Sequence, residues 1–362
     1  MEVAARAGRL RDRFDEAGCD ALLVTRMVNV RYLTGFTGSA GVLLVDAEGM
    51  VLVTDGRYRD QASEQLGAVG VAARVEMAQT AAAQAQALGA AAAGIARLGL
   101  EAAHVSWAAQ RRYASECFTS AELVATDGLV EGLRQHKDEG EIARMARAAA
   151  IADAALATIR PRLGERPTEA EVALELDSEV RRLGADGAGF ETIVASGPNG
   201  ARPHARPTRR AIVEGDLVVI DFGAALDGYR SDMSRTTMVG DPSDIQGRML
   251  EVVAHSQVAG VAAVAAGVAG AEVDRVCRDV IAEAGWADAF LHGTGHGVGL
   301  DIHEDPRIAR TSTATLVPGH VVTVEPGVYL PDQGGVRIED MVLVTTGGSR
   351  CLTAAPKDPH LP

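Results

Sequence analysis

The chain has 362 residues, of which 47% are hydrophobic and 23% are charged, and this composition excludes a mostly disordered protein. At roughly 100–200 residues per domain, this length indicates two domains. The 35 basic and 49 acidic residues give a net charge of −14, which disfavours a general nucleic-acid binder because like charges repel the phosphate backbone.

The distribution of cysteine and of apolar residues indicates a cytoplasmic protein. No two cysteines form a CxxC pair, so a thiolate zinc site is not indicated, and scattered thiols suit a reducing compartment. The charged, amphipathic N-terminus lacks the apolar core of a signal peptide. The longest uncharged stretch, 252–271, contains polar residues and glycines, so we expect a packed helix and no membrane partner.

The first part of the chain alternates helices with short β-branched strands, a pattern typical of an α/β layered domain. Helices are predicted at about 2–17, 57–66, 79–93 and 106–115. Strands are predicted at 20–25, 30–33, 42–45, 51–54, 71–75, 97–101 and 119–124. The pattern stops in a polar stretch at 126–136, and we therefore place the two domains at 1–130 and 131–362.

The second part predicts an α+β domain, because its strands and helices alternate less strictly. One helix opens at Lys137-Asp138-Glu139 and continues to about 158. A second is capped at Thr168, with Glu171 three residues on, and continues to about 183. Helices at 244–266 and 271–284, strands at 190–197, 217–226, 229–239, 320–325 and 336–345, and a glycine-rich loop at 291–301 complete the domain.

A first candidate site lies on a predicted hairpin. An apolar strand ends near Asp221, and Asp227-Gly228 is a strong two-residue turn signal. With these residues at the turn, Asp221 pairs with Ser234 and Asp232 pairs with Gly223. Asp221 and Asp232 then become diagonal neighbours on one face, about 7–8 Å apart. Such carboxylates repel unless cations lie between them, and they could bridge two metal ions about 3.5–4 Å apart. Two solvent-facing aspartates are the alternative.

A second candidate site is a glycine-rich segment with three histidines, His292, His296 and His303. Histidine is a common metal ligand and general acid or base. The spacing of the first two occurs in HExxH zinc proteases, but no Glu follows His292 and the glycines oppose the helix that motif needs. No Gly-Lys-Ser/Thr follows, which disfavours a phosphate loop. A loop that brings imidazoles close to a ligand is favoured over a turn with incidental histidines.

Two further carboxylates, Glu325 and Glu339, each lie in an apolar strand pattern. Alone, either would be explained by a salt bridge, with Arg337 as an available partner. Together, the candidates form a set of four carboxylates and one imidazole: Asp221, Asp232, His296, Glu325 and Glu339. Oxygen-rich ligation with one nitrogen suits Mn²⁺, Co²⁺, Fe²⁺ or Zn²⁺ in a two-metal centre better than a structural zinc site.

These segments, with Ser196-Gly-Pro-Asn199 and Pro203-His204 upstream, resemble the pita-bread metallopeptidases. That family includes aminopeptidase P, prolidases, methionine aminopeptidases and the metal-free creatinases. Its Asp, Asp, His, Glu, Glu pattern matches the five candidate ligands in order. The segments 32–41 and 54–58 resemble the creatinase-type N-terminal domain, which methionine aminopeptidases generally lack. The resemblance covers nearly the whole chain and implies a creatinase-like α/β domain followed by an α+β pita-bread catalytic domain.

The resemblance also implies an activity and its cofactors. The five ligands would hold two divalent metal ions per subunit, with Mn²⁺ expected and Co²⁺, Zn²⁺ or Fe²⁺ as alternatives. A hydroxide bridging the ions would attack the Xaa-Pro bond at a peptide N-terminus. Glu325 would relay the proton, and His204 and His303 would hydrogen-bond substrate carbonyl groups and the developing oxyanion. His292 would line the proline subsite.

The arginines near the site leave the substrate length open. Arg337 would orient Glu339 or bind a substrate carboxylate, and Arg57 would contact substrate or form a structural salt bridge. Arg202 and Arg206 are further cationic candidates. The N-terminal segments favour an aminopeptidase P, which accepts longer proline-containing peptides, over a prolidase, which needs the dipeptide. A homodimer is expected from the resemblance alone.

Two other classes of protein share the implied fold, namely a metal-free hydrolase and a non-catalytic binding protein. Both are disfavoured, because such proteins lack the full set of five ligands that this chain has. A serine or cysteine hydrolase is disfavoured because the chain has no Gly-x-Ser-x-Gly elbow and no cysteine in a histidine-rich context.

Overall fold

The computed structural model describes residues 1–361 and divides the chain into two compact units. The N-terminal unit is Met1–Arg134, and the C-terminal unit begins at Gln135. The limits 1–130 and 131–362 stay a prediction about independently folding domains. Within residues 1–361, no helix has both the length and the apolar character that crossing a bilayer requires.

The N-terminal unit is built on one mixed six-stranded sheet. Its strands are β1 Ala21–Val24, β2 Val42–Asp46, β3 Met50–Thr54, β4 Arg74–Met77, β5 Arg97–Glu101 and β6 Glu122–Thr126. Their order is β4-β3-β2-β1-β5-β6, with β2 antiparallel to both of its neighbours and all other pairs parallel. Its helices are α1 Val3–Arg11, α2 Phe14–Ala17, α3 Met27–Thr34, α4 Arg59–Ala68, α5 Ala81–Ala91, α6 Trp107–Arg112 and α7 Leu129–Arg134.

Helices cover both faces of this sheet, as the predicted α/β layers require. Leu88 of α5 packs with Tyr113 and Phe118 against one face, whereas α1 contacts β2 and α3 contacts both β1 and β2. Every residue of β1 and β3 is buried. Burial on both faces of the sheet explains why these strands have nearly continuous apolar sequences.

Two local predictions in this unit are wrong. The strand expected at 30–33 is part of α3, and the polar stretch at 126–136 contains α7. The buried carboxylate of Glu101 accepts hydrogen bonds from the backbone N–H groups of Thr25 and Arg26, where α3 begins. These partners lie more than 70 residues apart in sequence, so no local pattern indicates them.

The C-terminal unit contains four long helices: α8 Glu139–Ile159, α9 Glu169–Arg182, α10 Asp244–Ala263 and α11 Gly270–Glu283. The predicted cap at Thr168 is confirmed as a capping box, in which Thr168 and Glu171 each satisfy the other's backbone N–H. Asp138 and Glu141 form a second capping box at the start of α8. These caps satisfy N-terminal donors that have no partner within the helix.

The strands of this unit form several small sheets. They are β7 Gly187–Ala188, β8 Ile193–Ser196, β9 Leu217–Phe222, β10 Ala224–Leu226, β11 Tyr229–Arg230, β12 Met233–Met238, β13 Gly295–Gly297, β14 Glu304–Ile308, β15 Val321–Val324, β16 Gly327–Leu330, β17 Gly334–Arg337, β18 Asp340–Thr345 and β19 Gly348–Cys351. The sheet orders are β11-β10-β7, β12-β9-β8, β14-β13-β15-β18-β19 and β16-β17. Of these strands, the predictions missed β7, β13, β14, β16 and β19, and β13 lies where a glycine-rich loop was expected.

Two hydrophobic cores organise the unit. One joins α8 and α9 to β8, β9 and β12, and the other joins α10 and α11 to β15, β17 and β18. Strands from the two cores meet where β12 contacts β17 and β18. The predicted acidic residues lie at this junction, where rigid strands from both cores can hold them.

Candidate metal centre

The β9–β12 hairpin positions the two aspartates. Asp227 and Gly228 both have positive φ values, 48° and 78°, as a two-residue type I′ turn requires. Asp221 pairs with Ser234 in the ladder, which confirms the predicted register. The strand predicted at 229–239 is interrupted, however, and Asp232 lies in the interruption between β11 and β12.

Both aspartates are withdrawn from solvent. Asp232 is 4% exposed, and the side chain of Asp221 is 15% exposed. The alternative of two solvent-facing aspartates is therefore wrong. Buried carboxylates need compensating partners, so this hairpin requires a cation nearby.

The glycine-rich segment brings His296 to the same place. Gly295 lies in β13, and a Cβ added there would lie 2.0 Å from the carbonyl oxygen of Thr323, so only glycine fits this approach to β15. The Nδ1 atom of His296 lies 3.0 Å from the carbonyl oxygen of Gly297. Because a carbonyl only accepts, Nδ1 carries the proton and Nε2 keeps its lone pair.

The lone pair of His296 faces the carboxylates. Its Nε2 atom lies 3.6 Å from Asp232 Oδ2 and 3.5 Å from Glu325 Oε1. One potential ligand atom from each of Asp232, His296 and Glu339 lies within 4.8 Å of the others. Such a buried oxygen and nitrogen donor set is suited to a divalent cation.

Glu325 and Glu339 occupy strand ends, not the strand interiors predicted. Glu325 follows β15, and its N–H donates to the carbonyl of Thr294 over 2.8 Å. Glu339 lies between β17 and β18, and its Oε2 accepts a hydrogen bond of 2.8 Å from Ser234 Oγ. At these ends the backbone turns, so each carboxylate can point into the junction between the two cores.

Electrostatics favour a bound cation. Burial, together with repulsion from neighbouring carboxylates, raises the pKa of Asp232 and of Glu339 well above their usual values. Burial raises the pKa of Glu325 to about 8, and the charge of Asp221 acts in the same direction. Burial also lowers the pKa of His296 to about 3, so its imidazole is neutral at pH 7. A divalent metal ion would relieve this repulsion, and these residues therefore fit a divalent cation.

Arg337 is the cation already present in the cluster. It is 2% exposed, and its Nη2 donates to Asp221 Oδ2 over 2.7 Å. Its Nε donates to Ser234 Oγ over 2.8 Å, which connects it to Glu339. The other oxygen of Asp221, Oδ1, is buried and meets no donor within residues 1–361, so it remains available to a metal.

A cleft of about 570 Å³ contains nine of the ten residues predicted for the site. They are His204, Asp221, Asp232, His292, His296, His303, Glu325, Arg337 and Glu339. The tenth, Arg57, belongs to the N-terminal unit, where it forms a bidentate pair with Asp55, with a shortest distance of 2.7 Å. The salt bridge predicted as the alternative for Arg57 is thus present.

Two residues of the site, one behind the cleft wall and one lining the cleft, were not identified in the sequence. Tyr329 is buried, and its hydroxyl accepts from Arg337 over 2.9 Å and lies 2.8 Å from His292 Nε2. Arg307 lines the cleft with a side chain that is 54% exposed, and Asp305 lies 3.9 Å away. Tyr329 lies in a short apolar run and Arg307 lies in a strand that was not predicted. No sequence pattern therefore indicated that either residue belongs to the site.

The environment of the remaining histidines differs. Burial, together with the charge of Arg337, lowers the pKa of His292 to about 4. His303 packs edge-on against His296 with ring centroids 4.4 Å apart, and burial, with the charge of Arg307, lowers its pKa. His204 lines the cleft from a loop and is exposed. The neutral imidazole of His292 can donate one hydrogen bond and accept another at pH 7.

Comparison with known proteins finds similar proteins over nearly the whole chain. A Bacillus subtilis protein named "Uncharacterized peptidase YqhT" is 41% identical over 97% of this chain and 98% of its own length. The structure of "Xaa-Pro dipeptidase from Bacillus anthracis" is 41% identical, covers 98% of this chain and 99% of that one, and has a TM-score of 0.93. The structure of X-Pro aminopeptidase from Thermotoga maritima is 33% identical, covers 96% and 99%, and has a TM-score of 0.87.

Family matches cover both units. Residues 6–136 match the creatinase/prolidase N-terminal domain, and residues 143–346 match metallopeptidase family M24. The predicted fold, a creatinase-like α/β domain followed by a pita-bread α+β domain, is confirmed. With a buried carboxylate–imidazole cluster in the matching unit, this chain belongs to metallopeptidase family M24.

Proposed function

We propose that this protein is a metal-dependent exopeptidase that hydrolyses the peptide bond between a first residue and a following proline. The observation that carries the proposal is the convergence of four carboxylates and one imidazole in a single cleft. Two similar solved structures bear the names Xaa-Pro dipeptidase and X-Pro aminopeptidase, which supports proline specificity.

Two divalent ions, with Mn²⁺ the expected metal, would be held by the candidate ligands Asp221, Asp232, His296, Glu325 and Glu339. Bound there, such ions would lower the pKa of water and polarise the substrate carbonyl. The protein supplies the rigidity, because the hairpin, β13 and β15 fix the ligands and Arg337 holds Asp221. Metal-free hydrolase and binding-protein alternatives do not explain why so many acidic groups are buried together.

Proton transfer is assigned to Glu325. Its Oε1 atom faces His296 at 3.5 Å, and its Oε2 atom faces His292 at 4.0 Å. One carboxylate oxygen can therefore remain in the ligand cluster while the other accepts and returns a proton. His204 and His303 line the cleft and would donate hydrogen bonds to substrate carbonyl oxygens as negative charge develops.

His292 is assigned to the proline subsite. Its ring is fixed by Tyr329 through Nε2 and by the carbonyl of Gly293 through Nδ1. A ring fixed on both sides presents a rigid wall, which suits recognition of the rigid pyrrolidine. Arg337 lines the cleft but is only 2% exposed, and it already donates to Tyr329 and Asp221. These contacts favour the positioning role over binding a substrate carboxylate.

A dipeptidase is the second candidate, and Arg307 favours it. A dipeptidase must recognise the free carboxylate of the proline, and Arg307 is a cation that lines the cleft and whose charge acts on His303. Arg206 also lines the cleft, but its side chain is 80% exposed and pairs with Glu191 over 3.2 Å. The N-terminal sequence segments favour the aminopeptidase, so substrate length requires a direct test.

The test compares three substrates after stripping the protein of metal and restoring Mn²⁺. An aminopeptidase releases the first residue from Ala-Pro-Pro and leaves Gly-Pro intact, whereas a dipeptidase cleaves Gly-Pro and leaves the tripeptide intact. Ala-Ala is the control and should remain intact. Failure to cleave both proline peptides despite bound metal would contradict the proposed substrate class. The homodimer and the cytoplasmic location stay predictions.

A further inference from the structure

The loop between β8 and β9 places His204 in the cleft. We call residues 197–207 the His204 loop; it begins with a helical turn at Gly197–Ala201 and continues without regular structure to Pro207. Pro203, His204 and Arg206 line the cleft. An exposed side chain on an irregular segment keeps its place only if the segment's ends are anchored.

Both ends of the His204 loop are bound to one carboxylate, that of Glu169 in the first turn of α9. Its Oε1 accepts from the N–H and the hydroxyl of Ser196, at 2.7 Å each. Its Oε2 accepts from the N–H of Thr208 over 3.0 Å and from its hydroxyl over 2.6 Å. Asn199 Nδ2 lies 3.1 Å from both oxygens. Glu169 is 0% exposed, so water does not compete for these contacts.

Other groups hold the same loop at different points. The N–H of Ala170 donates to the carbonyl of Thr208 over 3.0 Å. Arg210 donates to Ser196 Oγ over 2.6 Å and forms a bidentate pair with Asp216. At the tip, Arg337 Nη1 donates to the carbonyl of Pro203 over 3.2 Å. The loop is therefore fixed at its two ends by Glu169 and at its tip by the arginine that also holds Asp221.

We propose that Glu169 is a positioning residue for the hydrolysis, because it ties both ends of the His204 loop together and so sets the place of His204 in the cleft. The proposal rests on the role assigned to His204 in the proposed function. Glu169 lines no part of the cleft, so it would act through the loop and not through contact with substrate. Misplacing a contact group by about 1 Å can cost about 10²-fold in rate.

The test is a double-mutant cycle with Glu169→Gln and His204→Ala in the Mn²⁺-loaded protein, with Ala-Pro-Pro and Gly-Pro as substrates. Glutamine has the size of Glu169 but replaces one carboxylate oxygen, an acceptor, with an NH₂ group, a donor. That NH₂ group would face the N–H and hydroxyl donors of Ser196 or Thr208. We expect Glu169→Gln to lower kcat/KM at least about tenfold in the wild-type background and less than about twofold in the His204→Ala background. Amide hydrogen exchange of residues 196–208 should become faster. Glu171→Gln, in the same helical turn, is the control and should change neither quantity, because Gln also serves in a capping box.

A second pair of variants keeps the test valid if Glu169→Gln does not fold. Thr208→Val removes one hydroxyl donor to Glu169, and Thr208→Ser retains it. We expect the valine variant to lose activity and exchange protection, and the serine variant to keep both. An equal loss from Glu169→Gln in both His204 backgrounds, or unchanged exchange in the loop, would overturn the positioning role and leave the proposed function intact. Full activity of His204→Ala would instead contradict the role of His204 in the proposed function, and the positioning role with it.

Discussion

Replacing Gly295 by alanine should displace His296 and disable the site. The added Cβ would lie 2.0 Å from Thr323 O and 2.7 Å from Thr323 C, whereas real Cβ contacts do not fall below 3.0 Å. The backbone of β13 or β15 must therefore move by about 1 Å, since both clashing atoms belong to the main chain. A displacement of this size at a reacting centre costs about 10²-fold in rate, and overpacking costs about 1–3 kcal/mol of stability.

The assay for Gly295→Ala measures kcat/KM at saturating Mn²⁺, the affinity for Mn²⁺ by calorimetry, and the free energy of unfolding. We expect activity to fall about a hundredfold and metal to bind more weakly, because His296 and Glu325 are held by backbone contacts with the displaced strands. Gly247→Ala is the matched control: Gly247 lies in α10 with no atom within 4 Å of the added Cβ. That variant should keep full activity and gain about 0.5–1 kcal/mol of stability. Wild-type activity and metal affinity in Gly295→Ala would refute the close-approach argument.

Three further predictions concern single residues. Asp232→Asn should lower both the affinity for Mn²⁺ and kcat/KM by about 10–100-fold, measured by calorimetry and kinetics, and an unchanged affinity would contradict its assignment as a ligand. Arg307→Gln should raise KM for Gly-Pro at least about tenfold if Arg307 binds the free carboxylate, as a charged hydrogen bond is worth about 1.5–3 kcal/mol; an unchanged KM for a dipeptide that is cleaved would exclude that contact. Burial opposes ionisation of Glu169, but hydrogen bonds from Thr208, Ser196 and Asn199 outweigh it and hold its pKa below 4.5. Because that pKa is depressed on folding, its contribution to stability is full above about pH 4.5 and is lost as the pH falls through the folded value. The free energies of unfolding of wild type and Glu169→Gln, measured in urea, should therefore converge at low pH. A difference between them that grows as the pH falls would contradict the expected direction.

Features set by local sequence were predicted well. The turn Asp227-Gly228 determines the hairpin register, because two residues with positive φ fix which residues pair. The cap at Thr168 follows from side chains three residues apart. The five candidate ligands could be proposed from the sequence because a carboxylate or imidazole in an apolar strand or beside glycines is unusual enough to need an explanation. Their role as ligands stays a prediction.

Features set by distant contacts were missed. The run that forms α3 is short and apolar, and periodicity alone does not separate a buried strand from a buried helix at that length. Asn29 of α3 donates to both Glu101 and Glu131, over 2.7 Å each, and these partners are known only from the fold. Tyr329 is likewise recognised as part of the site only from its hydrogen bonds with His292 and Arg337 in the folded structure.

The central claim is that the buried carboxylates and His296 hold the divalent metal on which hydrolysis depends. The most direct measurement titrates metal-free protein with Mn²⁺ while bound metal and cleavage of the better of the two substrates, Gly-Pro or Ala-Pro-Pro, are followed together. The account predicts no cleavage without metal and activity that rises with occupancy and saturates at two ions per chain. Cleavage at the full rate by protein shown to contain no metal would contradict it.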